Sequence, residues 1–340
     1  MNLRPIEILG GGLAGLSLGV ALRRQAVPVT LHEAGDYPRH RVCGEFITGL
    51  ADSTIGKLGL APALAGALLH REVAWFNRAP SPRIQKLPSP ALGISRYALD
   101  ATLAAAFVTL GGDLHTRSRQ TDRRDQPGRI FATGRRPLAS SPWLGLKIHL
   151  RDLELTRDLE MHLGENCYVG LTRVEARVVN LCGLFHRRAL SGRGGELLMA
   201  YLRASELPDL ADRLTGARLQ EETFCAVAGL DFDHRLPASE RLCLGDSLAM
   251  IPPFTGNGMA MAFQGAEAAF GPLVAYARGT TEWPDACRAI QRLLRARFRL
   301  RLSSAGLLHP FLLRPRRQRW FAGLGRARLL PFGRLYASLH

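Results

Sequence analysis

The chain has 340 residues, 46% hydrophobic and 22% charged, which fits one large or two interleaved globular domains and excludes a disordered or fibrous chain. No apolar run reaches the roughly 20 residues that a membrane-crossing helix requires, and Glu7 followed by a glycine-rich turn does not suit a secretion signal, so a cytoplasmic protein is expected. The net charge of +16 is built almost wholly from arginine, with Lys57, Lys86 and Lys147 as the only lysines among 45 basic residues, and this bias weakens charge as a sign of nucleic-acid binding.

In chain order, Ile6–Leu9 is a short β-prone run that leads into Gly10-Gly11-Gly12-Leu13-Ala14-Gly15. Apolar residues from Leu16 to Gln25 keep helical spacing, and Val27–Glu33 reads as a second strand. Residues 73–94 suggest short strands broken by turns at Pro80, Pro82, Pro88 and Pro90, and Tyr97–Leu110 a helix. Arg129–Thr133 reads as a strand. The short runs Gly145–Leu150, Leu159–Leu163, Tyr168–Leu171 and Arg177–Leu184 predict an antiparallel sheet. Helices are expected near 194–204 and 207–214, then strands around Cys225–Ala228 and Leu242–Leu244. Asn257–Tyr276 is a long helix, and the chain beyond Trp283 is helical and basic, broken near Pro310, Pro315 and Pro331.

The first motif is Gly10, Gly12 and Gly15 in a β-turn-α-β context. The first glycine permits the turn, the second lets a pyrophosphate approach the backbone and the third allows close helix–strand packing. The helix N-terminus, with Leu13 and Ala14, then faces the phosphate charge. Glu33, at the end of the second strand, is placed to accept hydrogen bonds from ribose hydroxyls. By itself this motif leaves NAD and FAD open.

The second motif resolves that choice by resemblance. Gly245-Asp246, two prolines ending at Pro253, and Gly256-Asn257-Gly258 opening a small-residue helix resemble the flavin-contacting motif of FAD-dependent aromatic hydroxylases, geranylgeranyl reductases and flavin-dependent halogenases. Arg41-Val42-Cys43-Gly44-Glu45 resembles a stretch beside the isoalloxazine in the reductase and halogenase branch, and Arg96 at a helix start resembles the family's arginine that reaches the FAD diphosphate or ribityl chain. The resemblance implies FAD as cofactor, with Asp246 on the ribityl chain, Gly256–Gly258 at the flavin edge and Cys43 as a candidate catalytic residue. Three departures stand out. Thr133 occupies the place of the hydroxylase Asp, no Trp-x-Trp-x-x-Pro motif is found, and the chain is shorter than most relatives.

The implied fold is α/β: a Rossmann-type FAD-binding domain interleaved with an antiparallel-sheet substrate domain, of the glutathione-reductase, hydroxylase-like type. The nucleotide domain is expected in 1–70, 95–140 and 225–304, the substrate sheet in 71–94 and 141–224, and a basic tail in 305–340. Lys147, His149 and His162, on strands expected to face the flavin, are candidate cavity or acid–base groups. The implied activity is C=C reduction or monooxygenation of an apolar metabolite or lipid, with halogenation as an alternative. NAD(P)H or a separate flavin reductase would supply electrons. No metal site and no disulfide framework is expected from the six scattered cysteines.

From Arg288 to Arg334 there are thirteen arginines, and no Asp or Glu follows Asp285. Leu293, Leu294, Phe298 and Leu302 are expected to bury one helix stripe. Phe311, Leu312, Leu313, Trp320 and Phe321 form a candidate contact with an anionic membrane. Such a contact would let an apolar substrate enter from the bilayer, and it also supports the alternative of a non-enzymatic, basic membrane-surface protein.

Overall fold

The computed structural model describes residues 3–77, 81–122, 124–135, 137–233, 235–236, 241–326 and 332–339. The first half contains β1 (Ile6–Leu9), α1 (Leu13–Arg23), β2 (Val29–His32), β3 (Phe46–Ile47), α2 (Asp52–Leu58), α3 (Ala61–Leu64), β4 (Leu68–Phe76), β5 (Arg83–Gly93), α4 (Arg96–Thr109), β6 (Asp113–His115) and β7 (Arg129–Phe131). The second contains β8 (Trp143–Arg151), β9 (Leu159–Gly164), β10 (Cys167–Val174), β11 (Val178–His186), α5 (Gly194–Ala204), α6 (Pro208–Leu214), β12 (Arg218–Leu230), α7 (Gly258–Ala277), α8 (Trp283–Leu313), α9 (Pro315–Arg326) and α10 (Phe332–Leu339).

The predicted β-α-β opening is the centre of a parallel sheet ordered β6-β2-β1-β7. Its strands are short and apolar because both faces are covered. Leu13 to Leu22 are all buried, since α1 lies between this sheet and α7, and small residues along both helices let them approach. Cys243 bridges Phe131 in parallel, so the 242–244 run reaches the sheet edge beside the start of α1. One continuous core joins Ile8 and Leu31 of this sheet to Leu16, Phe107, Phe263 and Phe298 of four helices.

The second sheet is ordered β12-β8-β11-β10-β9-β4-β5-β3. Its pairings are antiparallel except for β4 with β9. On β8, Leu146, Ile148 and Leu150 pack beneath α5 and α6 with Val169, Leu181 and Leu202.

Several expectations need correction. Pro88 and Pro90 do not end strands but lie inside β5, in the stretch between Lys86 and Ala91 where its register with β4 shifts and no ladder donor is required. β12 runs over 13 residues because a register shift between Gln220 and Cys225 absorbs the polar Glu221-Glu222-Thr223. Pro310 does not break the chain: it sits in the last turn of the 31-residue α8. The buried stripe of α8 includes Leu294, Phe298 and Leu302 but not Leu293, which lies on the outer face. Leu312 and Leu313 are buried against Tyr168 and Phe232, so they cannot belong to an outward membrane contact. The side chain of Phe321, and Pro331, lie outside the described residues. Finally, α10 returns to the core, where the Leu339 carbonyl accepts a hydrogen bond from Asn257 Nδ2 at 2.7 Å.

Candidate cofactor cleft and acid–base cluster

The glycine turn is built by contact. Gly10 has φ +112°, and a side chain there would strike the Ala132 carbonyl; at Gly15 it would strike the carbonyl of Gly10. Gly12 has open space where its side chain would project. The first and third glycines are therefore required by packing, and the second leaves the start of α1 accessible.

The C-terminal motif lies against this turn. Gly245, at φ +61°, approaches Ala14, and Gly256, at φ +67°, sits against the Phe46 ring. Gly258 opens α7 with nothing facing it. Gly12 and Gly258 are therefore open at the starts of two helices that pack side by side. The Asn257 side chain turns inward, to Thr48, Thr255 and Leu339, leaving only its backbone for the cleft. Pro253 is exposed in a 3-10 turn before it, and Leu13 and Ala14 are buried.

The charged residues converge from four segments. The Glu33 carboxylate accepts from the Gly11 and Gly35 amides at 2.8 and 2.9 Å and from Arg39 at 2.6 Å. Arg96 makes a two-pronged contact with Asp100 at 2.8 Å per bond, and Arg41 Nε reaches the same carboxylate at 3.0 Å. Arg41 Nη2 and Arg135 Nη1 are buried without a hydrogen-bond partner. Burial and neighbouring Arg96 lower the Arg41 pKa, and burial lowers that of Arg135. Two half-buried guanidinium groups, each with one buried nitrogen free of hydrogen bonds, are suited to an anion. Asp246 is exposed, yet the protein packed around it pushes its carboxyl pKa up against the pull of Arg96 and Arg135. These features fit a dinucleotide: open helix starts, a carboxylate at the end of β2 and arginines with hydrogen-bond donors to spare.

Beside this cleft the Arg41–Phe46 loop crosses β8, where Gly145 leaves room for Val42. Glu45, fully buried with φ +55°, turns its carboxylate toward the sheet. Its Oε2 lies 2.6 Å from His149 Nε2; its Oε1 accepts the Arg96 amide at 3.0 Å and lies 3.7 Å from Lys147 Nζ. Lys147, also fully buried, is 3.2 Å from His40 Nδ1. Burial and the Lys147 charge lower the His40 pKa to about 4, so its ring is neutral at pH 7 and accepts from the ammonium. Asn180, opposite His149 on β11, donates to the Cys43 carbonyl at 2.9 Å, while its buried Oδ1 has no partner. Burial raises the Cys43 thiol pKa, which keeps it protonated at neutral pH.

Lys147 and His149 therefore share a face with the loop, but His162 does not. It pairs with Val169, faces α6, hydrogen-bonds Glu160 at 2.9 Å and stacks on Phe76. His162 is thus removed from the flavin-facing candidates. Sequence reasoning missed Glu45 as a partner of His149, and Asp100 and Arg135 as charges of the cleft. The alternation of Lys147 with His149 was a visible signal; the pairing across 104 residues was not.

No family model and no curated protein matches the chain by sequence. Solved structures do match it. The flavin-dependent brominase Bmp2 aligns with TM-score 0.73 at 18% identity, covering 98% of this chain and 93% of that one. PqsL, described as a probable FAD-dependent monooxygenase from Pseudomonas aeruginosa, aligns with TM-score 0.72 at 18% identity over 95% and 99%. A geranylgeranyl bacteriochlorophyll reductase-like protein from Thermoplasma acidophilum aligns with TM-score 0.70 at 15% identity over 91% and 87%. The chain has the fold of these flavoenzymes. The implied α/β architecture, with its parallel nucleotide-type sheet and larger, mostly antiparallel sheet, is therefore correct.

Proposed function

We propose that this protein is an FAD-dependent oxidoreductase acting on a small apolar organic molecule by C=C reduction or monooxygenation. The observation that carries this reading is the pair of open glycines at two helix starts together with the buried Arg41 Nη2 and Arg135 Nη1, which lack a hydrogen-bond partner. The shared fold with flavin-dependent proteins supports it. Segments 1–70, 95–140 and 225–304 would form the nucleotide domain and 71–94 with 141–224 the substrate domain, except that β3, the start of β4 and the end of β12 lie in the larger sheet.

In this reading Gly12, Leu13, Ala14 and Gly15 present α1 to the diphosphate, with Arg41, Arg96 and Arg135 supplying positive charge. Glu33 holds the ribose, Asp246 the ribityl chain, and the backbone of Pro253 and Gly256–Gly258 the flavin edge. Bound there, FAD would supply the two-electron redox chemistry, with electrons from NAD(P)H or a separate flavin reductase. Glu45 holds one nitrogen of His149, which leaves the other ring nitrogen to exchange a proton with substrate, and Lys147 lies 3.7 Å from the second carboxylate oxygen. Cys43, a neutral thiol beside Arg96, would shape the cavity wall and not act as a nucleophile.

The test is reconstitution. Wild-type protein should bind FAD, read by flavin absorbance and titration calorimetry, far more tightly than NAD. Glu33→Arg and Gly258→Val should retain native circular dichroism and lose FAD by a hundredfold or more, equivalent to about 3 kcal/mol. Equal FAD affinity in wild type and both variants would reject the cleft. Halogenation is a second reading, supported by the brominase among the fold neighbours. Product formation that depends on bromide or chloride would select it.

A further inference from the structure

The outer face of α8 carries a hydrophobic stripe that no described element covers. Leu293, Leu300 and Leu307 recur every seven residues and so lie on one side of the helix, and they are 48, 66 and 74% exposed. The spacing stretches the stripe over about 21 Å of helix axis. Phe311 prolongs it, and its ring meets Trp320 of α9, itself 59% exposed, at 5.8 Å. Single exposed leucines are ordinary, but a line of them on one helix marks a surface that meets something apolar.

The surrounding charge identifies the partner. Arg292, Arg295 and Arg299 are exposed along one edge of the stripe, and none has an ion-pair partner among the described residues. Arg314, Arg316 and Arg317 are exposed where the stripe continues onto α9. The sequence holds no Asp or Glu beyond Asp285, so nothing within this segment neutralises them. A second copy of the same face would set like charges together. An apolar stripe edged by arginines, with a tryptophan at one end, instead matches a helix lying in the headgroup layer of an anionic bilayer. No helix among the described residues is long and apolar enough to cross a membrane.

We propose that the outer face of α8, continued by Trp320, docks the protein flat on an anionic membrane surface. Leucines enter the acyl boundary while the arginines engage lipid phosphates, a contact that adds to affinity at each arginine and weakens with salt. The inner face of the same helix carries Leu312 and Leu313 into the apolar cluster with Tyr168, so docking brings that wall of the molecule near the bilayer.

Flotation of the full-length protein with vesicles tests the assignment. Binding to phosphatidylcholine vesicles containing phosphatidylglycerol should be at least tenfold stronger than to phosphatidylcholine alone, and should fall as salt is raised from low to physiological. Leu300→Glu with Leu307→Glu should abolish it, and Arg292→Gln with Arg295→Gln and Arg299→Gln should weaken it about a hundredfold. Both variants change exposed positions, so circular dichroism and FAD absorbance should match wild type; the outcome is thereby independent of the cofactor assignment. Absence of wild-type binding at low salt, equal binding to neutral vesicles, or full binding by the leucine variant would each overturn the proposal. A dimer dispersed by Leu300→Glu, with no lipid binding, would assign the face to a second copy instead.

Discussion

The two faces of β8 are made from alternating residues of one strand, yet they are stabilised in opposite ways. Leu146, Ile148 and Leu150 point to α5 and α6 and are held by packing alone. Lys147 and His149 point the other way, to Glu45 and His40, and remain buried because these polar groups meet one another. The apolar face gains free energy from each methylene it hides and loses it gradually as groups are removed. On the polar face desolvation cancels much of the attraction, and removing one partner strands the other. An apolar pair would hold the fold at lower risk, so the burial of Lys147 with Glu45 beside a cleft is what the proposed site on that face would account for.

The contrast can be broken by paired substitutions. Glu45→Ala should cost about 4 kcal/mol in chemical denaturation, because Lys147 and His149 then lie buried without a carboxylate. Glu45→Leu combined with Lys147→Met should recover most of that loss. If single and double variants are equally destabilised, the two residues are not coupled and the polar face is ordinary packing. Across the strand, Ile148→Ala should cost about 3 kcal/mol, with no partner substitution able to restore it except one that refills the cavity.

A smaller effect, seen only in acid, distinguishes His162 from His149. Although burial favours the protonated form, hydrogen bonds from His162 and Arg213 lower the Glu160 pKa to about 2, from an ordinary value of 4.5. A carboxyl depressed in the folded state adds stability that is complete above its unfolded pKa and disappears as pH falls toward its folded one. Glu160→Gln should therefore flatten the loss of stability between about pH 4.5 and 2, measured by denaturant midpoint, and leave FAD binding unchanged. A change in flavin affinity would place the His162 side of the sheet in the site after all.

Local rules were enough for the backbone part of this protein. Gly10, Gly12 and Gly15, the terminal Glu33 and the Gly256–Gly258 turn are legible because backbone conformation and helix starts depend on residues a few positions apart. The periodicity of α4 and of the β8–β11 strands was legible for the same reason. What only the tertiary structure decided is which faces those elements turn inward. A shift of one position sends Leu293 to the surface and Leu294 to the core; strand parity sends His149 to Glu45 and His162 to Glu160. The charge cluster needs Glu45, His40 and Lys147 from segments a hundred residues apart. Pairing over that separation is set by sheet register and by how a loop crosses it, which local pattern does not encode.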